Sequence, residues 1–166
     1  MTGVQTCALP ILERDEKGKL SLIGCGAIPV AAKVSLPETL TIIHSEVLAA
    51  ISEFQPDIVS LEAVFYAHDY RSAFKLGAVR GVVMLAAQSS GVPVAEHSAT
   101  EIKLAVAGFG RATKESVKKM VKVALGLRQA PSSHDASDAL AAAVCHLNTD
   151  KLRARVEAST LKQALG

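Results

Sequence analysis

Three carboxylates stand where acid chemistry could be organised. Glu62 follows the apolar run Ile58-Val59-Ser60-Leu61, at the C-terminal end of a short, buried-looking strand. Sites in open α/β sheets form at that edge, where strand ends present polar groups over a rigid base. Asp135 and Asp138 are three residues apart in the first turn of an alanine-rich helix, a spacing that puts both on one face. Asp at a helix start is ordinarily explained by capping and the macrodipole. One Asp suffices for a cap, however, and two on one face repel unless a cation sits between them. His134, one turn from Asp138, reads either as part of such a site or as a plain first-turn residue. Three carboxylates meeting at one point would bind a hard divalent cation through oxygen, Mg²⁺ above all. Two such ions could activate a water and stabilise the leaving oxygen of a phosphodiester. Position alone does not bring Glu62 to Asp135, and taken singly Glu62 reads slightly better as a polar residue ending its strand.

Beside Glu62 lies an aromatic and basic segment. The chain has four Phe, two Tyr and no Trp, and four of these six rings fall between residues 65 and 74: Phe65, Tyr66, Tyr70 and Phe74. His68, Arg71 and Lys75 are interleaved with them. Such a loop could stack on unpaired bases or wedge open a base step. Phe74 is expected in the core, leaving Phe65, Tyr66 and Tyr70 as candidate contacts. Further on, Lys103, Arg111, Lys114, Lys118, Lys119 and Lys122 could bind phosphates. Lys118, Lys119 and Lys122 decorate one helix, whose exposed side would be basic in any case.

The net charge of +2 hides an asymmetry: residues 71–128 hold ten Lys or Arg against Glu96, Glu101 and Glu115. A basic middle on a nearly neutral chain suits a polyanion partner, and equally a set of solvated helix faces. A chain of 166 residues, 49% hydrophobic and 20% charged, is enough for one domain with a sizeable core. No run reaches the roughly 18 apolar residues of a membrane span, so no membrane role is expected. Cys7, Cys25 and Cys145 are too dispersed for a zinc knuckle and odd in number, which points to reduced cytosolic thiols.

The elements that must position these residues follow from patterning. Residues 1–10 show neither strand alternation nor a helix period. Ile11-Leu12-Glu13 and Leu20 to Ile28 read as two strands joined by Asp15-Glu16-Lys17-Gly18, a hairpin. Ser35 and Glu38 have capping-box spacing, with Pro37 in the first turn, before Leu40, Ile43, Val47, Ile51 and Phe54 recur at helical spacing. After the strand at 58–61, Ser72 to Ser90 reads as a helix in which Gly77 and Gly81 suit close packing. Val92 to Ala95 is a strand. Ser98 and Glu101 repeat the capping box, Thr113 opens another helix, and His134 to Leu147 forms the last. The expected fold is α/β, an antiparallel meander joined to parallel βαβ units.

Five blocks, in order, resemble those of the RuvC crossover-junction endodeoxyribonucleases. They are Phe54-Gln55-Pro56-Asp57; Leu61-Glu62-Ala63-Val64-Phe65; Lys75-Leu76-Gly77-Ala78-Val79-Arg80-Gly81; Gly108-Phe109-Gly110 with Lys114; and Asp135-Ala136-Ser137-Asp138-Ala139-Leu140-Ala141. Each is weak alone; together they cover about Ile11 to His146. The resemblance implies a ribonuclease-H-like mixed sheet flanked by helices and a bacterial cytoplasmic homodimer. It implies cleavage of four-way (Holliday) junctions in recombination and repair, with Mg²⁺, two ions per site, Mn²⁺ able to substitute. A branch-migration helicase complex is the implied partner. Glu62, Asp135 and Asp138 match the family's catalytic, metal-binding acids. Phe65 matches its junction-contacting Phe, and Lys103 and Lys114 its lysines near the scissile phosphates. Tyr66, Arg71, Lys75 and Arg80 complete the expected DNA-binding set.

One departure matters. The family opens on a strand bearing Gly-x-Asp-Pro-Gly, whose Asp completes the metal site, and no such motif occurs in this chain. The first strand is therefore expected to be missing. Residues 1–10, which resemble a translated sequencing adapter, are expected to be a foreign or disordered leader on a truncated gene. The nuclease domain is expected at 11–149 and a loosely held tail at 150–166. Without that Asp the chain should cleave little, so a non-cleaving junction-binding protein is the second reading. Another ribonuclease-H-like protein, such as a transposase, is the third; the Val64-Phe65 and Lys75-to-Gly81 blocks argue against it.

Overall fold

The structure, a computed structural model, describes residues 4–31, 33–63, 70–131 and 133–165. The chain opens on a hairpin of β1 (Val4–Arg14) and β2 (Leu20–Ala31). Its turn is closed by Asp15, whose Oδ1 accepts from Lys19 N–H at 2.8 Å, and by Gly18 at φ 84°. The hairpin is longer than alternation suggests, because Val4 to Pro10 also pair along β2. A ladder is made by backbone groups and does not need alternating side chains.

A bulge gives this hairpin two uses. Ile11 pairs with Gly24 but Leu12 pairs with Leu22, so Ile23 is the extra residue. A one-residue insertion moves every later side chain of the strand to the other face. Leu20 and Leu22 accordingly join Ile102, Val106, Val117, Val121, Leu140 and Val144 in one core cluster. Ile28 and Val30 join Ile43, Val47, Ile51 and Val83 in another.

Helix α1 (Leu36–Phe54) starts at the expected capping box: Ser35 N–H donates to Glu38 Oε2 at 3.0 Å, and Glu38 N–H donates to Ser35 Oγ at 3.4 Å. It buries Ile43, Val47 and Ile51 and ends at Gln55, in the left-handed region with φ 45°. Strand β3 (Val59–Ala63) pairs in parallel with β4 (Val94–Ser98), with Leu61 opposite Glu96 and Glu62 opposite His97. Between them runs α2 (Tyr70–Ser89). Helices α3 (Ala99–Ala107) and α4 (Lys114–Ala124) are capped by Ser98 and Thr113. Helix α5 runs from His134 to Leu165, past the expected end at Leu147, because the added residues are mostly good helix formers.

Two expectations for α2 are corrected. Phe74 is not in the core but 71% exposed. The buried stripe of α2 includes Val83, Ala86 and Ala87, and nine residues back from Val83 is roughly 180° around a helix. Nor do Gly77 and Gly81 mark a close approach, since a Cβ at either would meet nothing within 4 Å.

The two strand pairs do not form one continuous sheet among the described residues. Helix α5 packs on both β1 and β3, while α1 packs on α2 and touches β1 and β2. Between β1 and β3 remains an apolar cavity of about 370 Å³, lined by Leu9, Ile11, Val47, Leu61, Val83 and Ala142 among others. A strand there would join the pairs into one mixed sheet. No described helix is long and apolar enough to cross a membrane.

Candidate active site

The rim of this cavity carries Glu62 and Asp138. Side chains alternate along a strand, so Ser60 and Glu62 leave β3 on one face and Val59 and Leu61 on the other. The first face lies against α5: Ser60 Oγ donates to the Ala142 carbonyl at 2.9 Å. Glu62 therefore emerges toward the start of α5. Its carboxyl is pushed up from the usual carboxylate range, first by desolvation and then by the negative charge of Asp138. Lys114 and Lys103 pull it back down.

The acidic pair on α5 is not needed as a cap. Ser133 Oγ accepts the Ala136 N–H at 3.0 Å, so a serine does the capping. Asp138 instead faces Lys114, with Nζ 3.9 Å from Oδ2. Lys114 occupies the first turn of α4, next to its Thr113 cap. A cation there opposes the helix macrodipole, at a typical cost of about 0.3–1 kcal/mol, so its placement is better explained by the acids it faces.

Four of the expected residues thus converge: Glu62, Asp138, Lys103 and Lys114. Asp135 sits exposed in the first turn of α5, off the cavity rim. Among the described residues no group of three His, Cys, Asp or Glu side chains is arranged to hold a metal ion. The donors that do meet are two hard, mutually repelling oxygen ligands, and in chemistry they fit a hard divalent cation. Phe65, Tyr66 and His68 lie outside the described residues. Arg71 is on α2, and Lys75 projects from that helix into solvent.

Arg80 is engaged by the protein itself. Its Nη1 donates to the main-chain carbonyl of Glu62, and its Nη2 lies 2.5 Å from Glu96 Oε2. The sequence held a signal for this: Arg80 precedes the buried Val83 and Ala87 by three and seven residues, which puts it on the inward stripe. Sequence reading also missed His97, buried beside Glu62's row, whose Nε2 is 3.3 Å from Nδ1 of His146 on α5. Cys145 is buried and its thiol is pushed up, first by that burial, and Cys25 is a free thiol at the surface.

An α/β domain that sets carboxylates at a strand end against a helix start, with lysines turned onto them, has the make-up of a phosphodiester-cleaving nuclease. Comparison with known proteins gives the family. The model of the family described as crossover junction endodeoxyribonuclease RuvC matches residues 2–146. The RuvC of Koribacter versatilis is 40% identical over 156 residues, covering 94% of this chain and 94% of the relative. That of Syntrophomonas wolfei is 38% identical over 151 residues, covering 91% and 88%. Among solved structures, Thermus thermophilus RuvC superposes with a TM-score of 0.82 at 32% identity, covering 91% of this chain and 92% of that one. The same protein in complex with a Holliday junction substrate gives 0.84 at 30%, covering 91% and 94%. The chain belongs to the RuvC family of crossover junction endodeoxyribonucleases, with the ribonuclease-H-like α/β fold, and nucleases of this family are metal-dependent.

Proposed function

We propose that this chain recognises four-way DNA junctions and that the Glu62–Asp138 face is its cleavage site. The observation that carries this is the convergence of Glu62 and Asp138 with Lys103 and Lys114. Glu62, Asp138 and Asp135, one turn along the helix, would hold Mg²⁺, two ions in the complete site, with Mn²⁺ able to substitute. Bound there, the metal would supply an activated water and charge neutralisation at the leaving oxygen. Lys114 and Lys103 would hold the phosphate beside the carboxylates. Phe65, Tyr66, Arg71 and Lys75 would meet the junction.

The acting unit is a homodimer, because a junction has approximate two-fold symmetry and needs two matched cuts. Supporting this, Phe74 and Leu85 are 71% and 61% exposed on α2, with open space over Gly77 and Gly81. Work in the bacterial cytoplasm beside a branch-migration helicase completes the reading. The test is a gel shift comparing a synthetic four-way junction with linear duplex, followed by Mg²⁺-dependent cleavage. Preference for the junction is expected; equal binding of both would leave only generic basicity.

A second reading is favoured by a specific observation. With no three-ligand cluster among the described residues and no Gly-x-Asp-Pro-Gly acid in the sequence, the chain as given binds junctions but cuts them little. Robust nicking by the purified chain would refute this.

A further inference from the structure

We propose that Arg80 is a positioning residue that fixes the end of β3, and with it the Glu62 carboxylate, from the opposite side of the strand pair. This deepens the reading of Glu62 as a site carboxylate and rests on it. Arg80 reaches from α2, and its side chain is only 18% exposed. One guanidinium nitrogen donates to the Glu62 carbonyl and the other pairs with Glu96. Glu96 lies opposite Leu61 in the parallel ladder, and Glu62 lies opposite His97. Leu61 and Glu96 therefore share the α2 face, while the Glu62 side chain leaves on the α5 face. The guanidinium grips the main chain of the residue whose carboxylate stands on the other side.

The strand end needs such a hold. Among the described residues β3 has a ladder partner on one edge only, β4, and its other edge borders the cavity. A planar guanidinium serves two acceptors at fixed geometry, which a lysine ammonium does not reproduce. The contribution is to position more than to stability, because Glu96 is 43% exposed and ion pairs open to solvent add little. Engaged this way, Arg80 is not available to a DNA phosphate on the carboxylate face.

Four variants of the full chain test this: Arg80→Gln, Arg80→Lys, Glu96→Gln and, as a control for stability alone, Val83→Ala on the same helix. Hydrogen exchange over residues 59–63, Mn²⁺ binding by paramagnetic resonance, and junction affinity across a salt series are the readouts. Arg80→Gln should speed exchange at the end of β3 beyond the Val83→Ala control at matched stability. It should weaken Mn²⁺ binding by about tenfold, the usual effect of removing a group that orients a ligand. Junction affinity should stay within about twofold, with an unchanged salt slope. Arg80→Lys and Glu96→Gln, which each keep part of the clamp, should fall between wild type and Arg80→Gln. A salt slope shallower by about one would make Arg80 a phosphate contact and overturn the proposal. So would β3 exchange no faster than in the control. If the wild type neither shifts a junction nor binds Mn²⁺, the functional reading fails, while the exchange comparison still decides whether Arg80 holds the strand.

Discussion

The two faces of the β3–β4 pair are made differently. Toward α1 and α2 the pair presents Val59, Leu61 and Val94 to an apolar cluster, with Glu96 answered by Arg80. Toward α5 it presents Ser60, Glu62 and His97, each polar, the first tied to Ala142 and the last beside His146. One strand thus holds the fold on one side and presents polar side chains, with the carboxylate of the proposed site, on the other. Stability and function should therefore respond to different substitutions.

The largest effect is expected on the apolar side. Ile43 is 3% exposed within that cluster, and Ile43→Ala should cost about 2–5 kcal/mol through lost transfer energy and a residual cavity. Urea denaturation would measure this. Junction binding by the fraction still folded should not change; if it does, the two faces are not independent.

Smaller effects are expected on the polar side. Ser60→Ala removes the hydroxyl that ties β3 to α5 and should cost about 1 kcal/mol, read from the same unfolding curves. Lys114→Ala removes a cation whose Nζ is 3.9 Å from Asp138. It should leave the unfolding midpoint nearly unchanged, since exposed pairs add little. It should flatten the salt dependence of junction binding by about one in slope; an unchanged slope would remove Lys114 from the phosphate contacts.

Glu62→Gln should give the smallest change and a diagnostic sign. The Glu62 carboxyl is raised in the folded chain, so between its unfolded and folded values the native state binds more protons than the unfolded one. Stability then falls as pH rises through that window. The variant should match wild type below the ordinary carboxylate range and exceed it above, in melting temperature measured across pH. Added Mg²⁺ should raise the wild type more than the variant. A variant less stable than wild type at neutral pH without metal would contradict the desolvation and Asp138 repulsion that raise this carboxyl.

The same contrast explains what could be read from sequence. Helix α1 was legible because its signals are local: the Ser35–Glu38 box and the spacing of Ile43, Val47 and Ile51. Glu62 at its strand end and the Asp135–Asp138 pair at a helix start were legible as residue type and position. Their meeting was not, because the approach of Glu62 to Asp138 depends on how β3 lies across α5, seventy-odd residues later in the chain. Phe74 was misread because aromatic type suggested a core place, whereas its angle from Val83 turns it outward. The length of the first hairpin escaped pattern reading because the backbone supplies that pairing. Arg80 was read by its charge, although its place on the α2 stripe already turned it inward.

Helix α5 packs against β1, β3, β4, α3 and α4, and it follows all of them in the chain. On a ribosome adding about 5–20 residues per second, the opening hairpin would wait roughly 5–20 s for its main packing partner to be made. Through that interval the hairpin would leave uncovered Leu12, Leu20 and Leu22, the apolar side chains that pack in the α5 cluster, and exposed apolar surface favours association with other chains. The timing of α5 release, more than the strength of any single contact, should therefore govern how much of this protein is recovered folded.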